Sequence, residues 1–379
     1  MKIVYICIAV IMLISLADRS EAAEYTYEKS ESRSQMVAEG WEKLVEELPE
    51  ELRGEADGIN PATTGGLREK IGFKYWLGKF LEGISGSWGE VLPGIFRLFS
   101  MILLIAAVEL SIENSPSSGL RKSFQTLSAL ASSVMLFGMT EKILDGAAAY
   151  LDRICGMMNT LTPMMEGLYL AEGNLTQRAV TTEAVMIAVT LIGNFTGKIL
   201  APLTNLLFTL SCLGNVCTDV RIGGFTNGFR KLIMRLWQFG TLLFSFLLSV
   251  QSILAKSADS LAAKTARFAI SSFIPMAGGV IAEAFSTLKE GTAVLRNAAG
   301  IGGMIVLLLI LVPGILPLVL YKCSLSLAET AAESMSLSGI RGMLGEVHGI
   351  VDMLFGFVLY TSLMFILVLV IFTKAQVGG

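Results

Sequence analysis

Between Lys264 and Lys322 the chain reads Lys264-Thr-Ala-Arg-Phe268, then Phe273-Ile-Pro-Met-Ala-Gly-Gly-Val280, then Arg296-Asn-Ala-Ala-Gly300, and last an apolar run from Ile301 to Leu320. A hydrophobic segment broken by Pro275 and Gly278-Gly279, flanked by charges and followed by an unbroken segment, suits a bilayer better than water. The second segment, with only Pro313 and Pro317 inside it, is long enough to cross a hydrocarbon core of about 30 Å.

Composition agrees. Of 379 residues 53% are hydrophobic and 16% charged, against about 25% charged in soluble domains. The expected class is all-α, a polytopic helical membrane protein. The net charge of -3 provides no basic face for nucleic acid. A single histidine, His348, removes most His-based triads and metal sites. The five cysteines, Cys7, Cys155, Cys212, Cys217 and Cys323, form no CxxC and read as packing residues.

Three domains are expected. Residues 1–22 resemble a secretory signal: Lys2, an apolar core from Ile3 to Leu16, and Ser20 and Ala22 before the cut. Residues 23–90 form an extracytoplasmic helical segment. There Val37, Trp41, Leu44, Val45 and Leu48 share one face until Pro49, and Tyr75 to Ile84 reads as an interfacial helix beyond a flexible linker from Asp57 to Gly66. This region is too poor in apolar residues for a large core of its own, so it is expected to pack on the membrane domain or on a partner.

Residues 91–379 form the multi-pass domain. Expected spans are Val91 to Leu110, Phe124 to Met139, a kinked or broken one through Ala184 to Leu213, Leu236 to Leu254, Phe268 to Phe285, Ile301 to Leu320 and Ile350 to Phe372. Glu141 to Glu183 reads as an acidic outside loop. Asn215 to Arg235, with Arg221, Arg230, Lys231 and Arg235 against Asp219, reads as cytoplasmic. Seven spans place the amino-terminal segment outside and the carboxyl end inside. They also leave Lys256, Lys264 and Arg267 in an outside loop, so six spans with a re-entrant Phe268 to Phe285 is the alternative.

Catalytic motifs are missing: there is no GxSxG, HExxH or GxxxxGK[ST], and the Gly302-Gly303 pair lacks the strand a dinucleotide site needs. No enzyme activity and no cofactor are expected, and any energy for transport comes from a partner or a gradient. Arg97, Glu109, Lys198, Glu283 and Asp352 lie within or near spans, where an unpaired charge costs about 3 kcal/mol, so each is expected to face a partner, water or the headgroups. His348, between Gly345 and Gly349, reads as a loop residue.

Lys264-Thr-Ala-Arg-Phe-Ala269, Phe273-Ile-Pro-Met-Ala-Gly278, Arg296-Asn-Ala-Ala-Gly-Ile-Gly-Gly303 and Leu320-Tyr-Lys322 together resemble the carboxyl-terminal signature of the stage III sporulation protein AE family of endospore-forming bacteria. Arg267 and Arg296 stand where the family is expected to carry Lys. The resemblance implies a multi-pass protein of the mother-cell membrane around the forespore. It further implies a platform subunit of a sporulation channel, with membrane and ATPase proteins of the same operon and a forespore-side channel protein as partners. Homo-oligomerisation is open. Candidate conduit or packing residues are Arg97, Lys198, Lys264, Arg267, Pro275, Gly278, Gly279, Glu283, Arg296 and Asn297. A stand-alone secondary transporter, suggested by broken spans near Lys198 and Glu283, and a pore-free scaffold are the rival expectations.

Overall fold

The computed structural model describes residues 31–46, 48, 50–57, 59, 73–113, 118–171, 175–216, 223–273 and 278–373, with the backbone alone over most of 251–295. The expected signal peptide lies outside them. The described residues form α1 (Glu31–Glu46), α2 (Glu50–Asp57), α3 (Phe73–Glu113), α4 (Ser118–Ala171), α5 (Leu175–Phe195), a π-helical turn (Thr196–Leu200), α6 (Ala201–Val216), α7 (Gly223–Phe273), α8 (Gly278–Ser334) and α9 (Ser338–Thr373). Among the described residues, six helical stretches are long and apolar enough to cross a membrane. The all-α polytopic class holds.

α8 and α9 are the axis of the bundle. The most apolar stretch of α9 is 67% buried and that of α8 56%, whereas that of α7 is only 6% buried and turns Leu236, Phe239, Leu242 and Phe246 outward. An abrupt turn joins the two central helices. Ser336 adopts φ 59°, the Leu337 amide donates to the Ala332 carbonyl at 2.9 Å, and the Ser336 amide donates to the Glu333 carbonyl at 3.0 Å. This is the Schellman pattern, completed by buried Leu337 near buried Ala332, with serine where glycine is usual.

Two contacts fix the depth of this pair. Lys322 Nζ lies 2.7 Å from Asp352 Oδ1, and a Cβ on Gly300 would lie 2.5 Å from Thr373 Cγ2. Between these levels neither α8 nor α9 carries a charge. About 20 residues at 1.5 Å each span about 30 Å, one hydrocarbon core. The apolar surface continues past the Lys322–Asp352 level on α3 and the first half of α4, where Leu103, Leu104, Leu130 and Val134 are exposed.

The amino-terminal helices pack on the membrane domain, as expected. Trp41 is buried, and its Cη2 would lie 2.9 Å from a Cβ on Gly302, while Gly40 fits against Met164 of α4. Arg53 ties the turn between α1 and α2 by donating to the Leu48 carbonyl at 2.9 Å and the Glu46 carbonyl at 2.7 Å. Trp41 and Thr373 thus approach α8 two residues apart, so the carboxyl end of α9 lies at the same end of the bundle as α1. The expected placement of the two on opposite sides is corrected.

Two further expectations change, and the choice between a kinked and a broken span through residues 184–213 is settled for the kinked one. The Glu141 to Glu183 loop is instead the second half of α4 and the start of α5: buried Ile143, Leu144, Ala147, Tyr150, Leu151 and Ile154 recur at helical spacing and keep α4 helical. The acidic excess of this stretch, six acids against three bases, does not break that periodicity. Residues 184–213 are continuous, the π-helical turn absorbing Pro202, whose ring cannot follow a regular α-turn over Lys198. Phe195, Trp237 and Phe357 pack beside it with centroids 4.4 to 5.1 Å apart. Finally, α7 begins beside Glu346, near the Ser336 turn, and runs toward the Trp41 end, from which α8 returns. The Phe268 to Phe285 segment is therefore the end of α7 and the start of α8, not a seventh crossing; residues 274–277 with Pro275 lie outside the described residues.

Candidate functional site

Charged side chains converge where α7, α8 and α9 meet, near the Ser336 turn. On α8, Lys322 and Glu329 are seven residues apart and share a face. On α9, His348 and Asp352 are four apart and share one too. The Schellman turn sets these faces against each other. Lys322 Nζ reaches Asp352 Oδ1 at 2.7 Å and sits 5.6 Å from the centroid of the Phe355 ring. His348 Nδ1 lies 2.7 Å from Glu329 Oε1, and its Nε2 lies 3.8 Å from Asp352 Oδ1.

The chemistry of this row follows from its protons. An ionised carboxylate only accepts, so the 2.7 Å bond requires the proton on His348 Nδ1, which donates to Glu329. Nε2 then faces a second carboxylate with no hydrogen-bond partner among the described residues. With His348 neutral the four residues sum to one negative charge, from one lysine and two carboxylates. No group of three or more His, Cys, Asp or Glu among the described residues is placed to hold a metal ion.

Arg230 anchors α7 to the same region. Its Nη1 donates to Glu346 Oε2 at 3.2 Å and to the Glu346 carbonyl at 3.3 Å, and its Nη2 donates to Asn227 Oδ1 at 3.2 Å. The Arg230 and Glu346 side chains are 14% and 16% exposed, so this pair is well shielded. The guanidinium lies against Gly349, where any Cβ would overlap it. Gly349 is thus needed for close approach, not for a turn. Glu333 and Arg341 close the α8–α9 turn from outside at 3.1 Å.

The residues expected from sequence are dispersed. Arg97 is exposed on α3, and Lys198 is exposed in the π-helical turn. Gly278 and Gly279 open α8. Lys264 and Arg267 belong to α7 and Glu283 to α8, with side chains outside the described residues, as is the whole of Pro275. Arg296 is fully buried at the Trp41 end, its guanidinium carbon 5.2 Å from the Tyr169 centroid. Asn297 beside it is half-buried, and its Oδ1 has no partner among the described residues. Glu166 and Arg178 pair nearby across α4 and α5, with Nε to Oε1 at 2.7 Å. Only Arg296 and Asn297 of the expected set thus meet in described side-chain positions. Sequence reading missed Glu329, His348, Glu346 and Arg230 as a group. The spacings from Lys322 to Glu329 and from His348 to Asp352 were the available signal, masked by the glycines around His348 that suggested a loop.

Comparison with known proteins supplies a second line of argument. Residues 71–376 match the family model described as stage III sporulation protein AE, which leaves α1 and α2 outside the matched region. The chain is also 21% identical over 302 residues to the stage III sporulation protein AE of Bacillus subtilis (strain 168), covering 77% of this chain and 74% of that protein. No solved structure matches.

Proposed function

Because the chain belongs to the stage III sporulation protein AE family, which implies a role in sporulation, we propose that it is a non-enzymatic membrane subunit of a channel complex linking mother cell and forespore. The observation that carries this reading is a sporulation-family chain folded as a helical bundle, with six candidate spans among the described residues and charged side chains tied together inside it. The sequence has no nucleotide-binding P-loop, so the drive for transport would come from an ATPase partner. Its partners would be membrane and ATPase proteins of the same operon and a forespore-side channel protein, without nucleic acid. The membrane would be that of the mother cell around the forespore.

Orientation follows from the signal-like residues 1–22 ahead of α1, which support a position outside the cytoplasm for the Trp41 end and a cytoplasmic one for the Ser336 end. The Trp41 end, with α1 and α2, would then lie between the two membranes and meet the forespore-side partner.

The test is deletion of the chain together with purification of a tagged full-length copy from sporulating cells. The expected result is loss of heat-resistant spores and recovery of the tagged copy with an ATPase and other membrane proteins. Normal spore yield after deletion overturns the reading. The row of charged side chains that Lys322, Asp352, His348 and Glu329 form between α8 and α9 favours a second reading as a self-sufficient secondary transporter. Gradient-driven uptake by the purified protein in liposomes would establish it in place of the first.

A further inference from the structure

We infer that the outer face of α4 around Ala149, Asp152 and Arg153 lines a water-filled path at the depth of the bilayer core. The inference deepens the channel reading by naming a wall of the conduit, and it rests on that reading only for the identity of the assembly.

Depth comes first. Tyr150 of α4 packs its ring against Gly314 of α8 and shares a 2.5 Å hydrogen bond with Ser362 of α9. Eleven residues along, Leu161 Cδ1 would lie 2.9 Å from a Cβ on Gly303, itself eleven residues from Gly314. α4 and α8 are therefore antiparallel in matched register, and the run from Ile301 to Leu320 is level with residues from about 144 to about 163 of α4. Asp152 and Arg153 fall near its middle.

At that level α5 and α7 present apolar surfaces, while α3, whose Gly83 packs on Val312 and Leu316, carries the Lys79–Glu82 ion pair. Phe195 of α5 meets Phe357 of α9 with centroids 5.0 Å apart, which places Leu191, one turn away, close to the level of Tyr360 and Ser362. Gln238 of α7 donates to Tyr360 at 2.9 Å, which places Phe239 there as well. Leu191 is 63% exposed and Phe239 64%, as lipid-facing residues would be. α4 is inverted: its apolar residues are buried inward, and Asp145, Ala149, Asp152, Arg153 and Asn159 are exposed.

That face is incompatible with lipid. Asp152 and Arg153 are consecutive and so point about 100° apart, and neither forms an ion pair among the described residues. An aspartate two bonds long cannot reach an interface about 15 Å away. Water, held by a wall contributed from another polypeptide of the assembly, is the environment that fits both charges.

The experiment uses the full chain in membranes of sporulating cells, with all five native cysteines replaced. Single cysteines are placed at Ala149, Asp152 and Asn159, and at Leu191 and Phe239 as controls of the same depth. Each is treated with a charged, membrane-impermeant maleimide after permeabilising both compartments. The expected result is labelling at the three α4 positions at least tenfold faster than at Leu191 and Phe239. Ala149→Cys removes no charge and keeps the test valid if Asp152→Cys does not accumulate. Equal resistance at all five positions means that a partner seals the face, and overturns the inference. Equal labelling at all five means that this level lies outside the bilayer, and overturns it too. Neither outcome depends on spore yield, so failure here is separable from failure of the channel reading.

Discussion

Trp41→Ala should release α1 from the membrane domain. The side chain is 6% exposed, and its ring edge abuts the backbone at Gly302. A buried tryptophan removes about 150–250 Å² from water, worth about 4–6 kcal/mol at about 25 cal/mol per Å². A compact unfolded reference trims that by about 10–40%, leaving about 2–5 kcal/mol, with a central value of about 4 kcal/mol. Because α1 is a terminal element held by Val37, Trp41, Leu44 and Val45, the loss falls on local opening more than on the whole bundle. At 1.4 kcal/mol per tenfold, the open population rises by two orders of magnitude or more. Lys43 is exposed on α1, but trypsin needs the helix open to cut there. The assay is the rate of appearance of the fragment ending at Lys43, in purified full-length protein under detergent. About a hundredfold acceleration is expected for Trp41→Ala and a much smaller one for Trp41→Phe, which keeps an aromatic ring. A rate within threefold of the parent for Trp41→Ala would refute the docking of α1 on Gly302.

Glu346→Gln leaves Arg230 shielded without its counter-charge, so a loss of about 3 kcal/mol is expected, read as a lower detergent-melting temperature and faster proteolysis between α6 and α7. Gly314→Leu drives a side chain into the Tyr150 ring and should cost about 1–3 kcal/mol; Gly314→Leu combined with Tyr150→Ala should recover much of the loss, and absence of any coupling in that double-mutant cycle contradicts the α4–α8 register. Ser336→Gly removes the strain of a left-handed serine and should raise stability by about 1 kcal/mol, whereas Ser336→Val at the same position should lower it. Lys322→Met removes the ammonium from Asp352 and Phe355 and should lower the detergent-melting temperature only slightly, by about 1 kcal/mol or less, since Lys322 and Asp352 are 31% and 47% exposed at the side chain.

Much of the architecture was legible in the residues. Runs such as Ile301 to Leu320 and Ile350 to Phe372 leave no alternative to helices in lipid, because an apolar stretch of that length satisfies its backbone only internally. The α1 face was legible too, since Val37, Trp41, Leu44, Val45 and Leu48 repeat at helical spacing and all five are buried. Charge proved a poorer guide. The acids from Glu141 to Asp152 suggested a loop although Leu144, Leu151 and Ile154 carry a helical stripe on the opposite face, and the glycines at 345 and 349 suggested a loop around His348 although Gly349 serves to admit Arg230. At Gly349 a residue type usual in loops serves close packing, whereas the acids of α4 occupy the exposed face of a helix whose other face is buried.

The order of apolar and polar residues thus fixed the helical membrane class, the long spans and the amphipathic amino-terminal helix, because those depend on periodicity and length along one segment. Which charges meet was decided in three dimensions. Lys322 finds Asp352, and Glu329 finds His348, only because a left-handed Ser336 folds α8 back on α9. Likewise, a polar α4 face at the depth of the apolar run is visible only once Tyr150 is seated against Gly314 and Ser362. Such pairings depend on helix register and crossing, which are set by contacts between residues far apart in the chain and leave no local trace in its sequence.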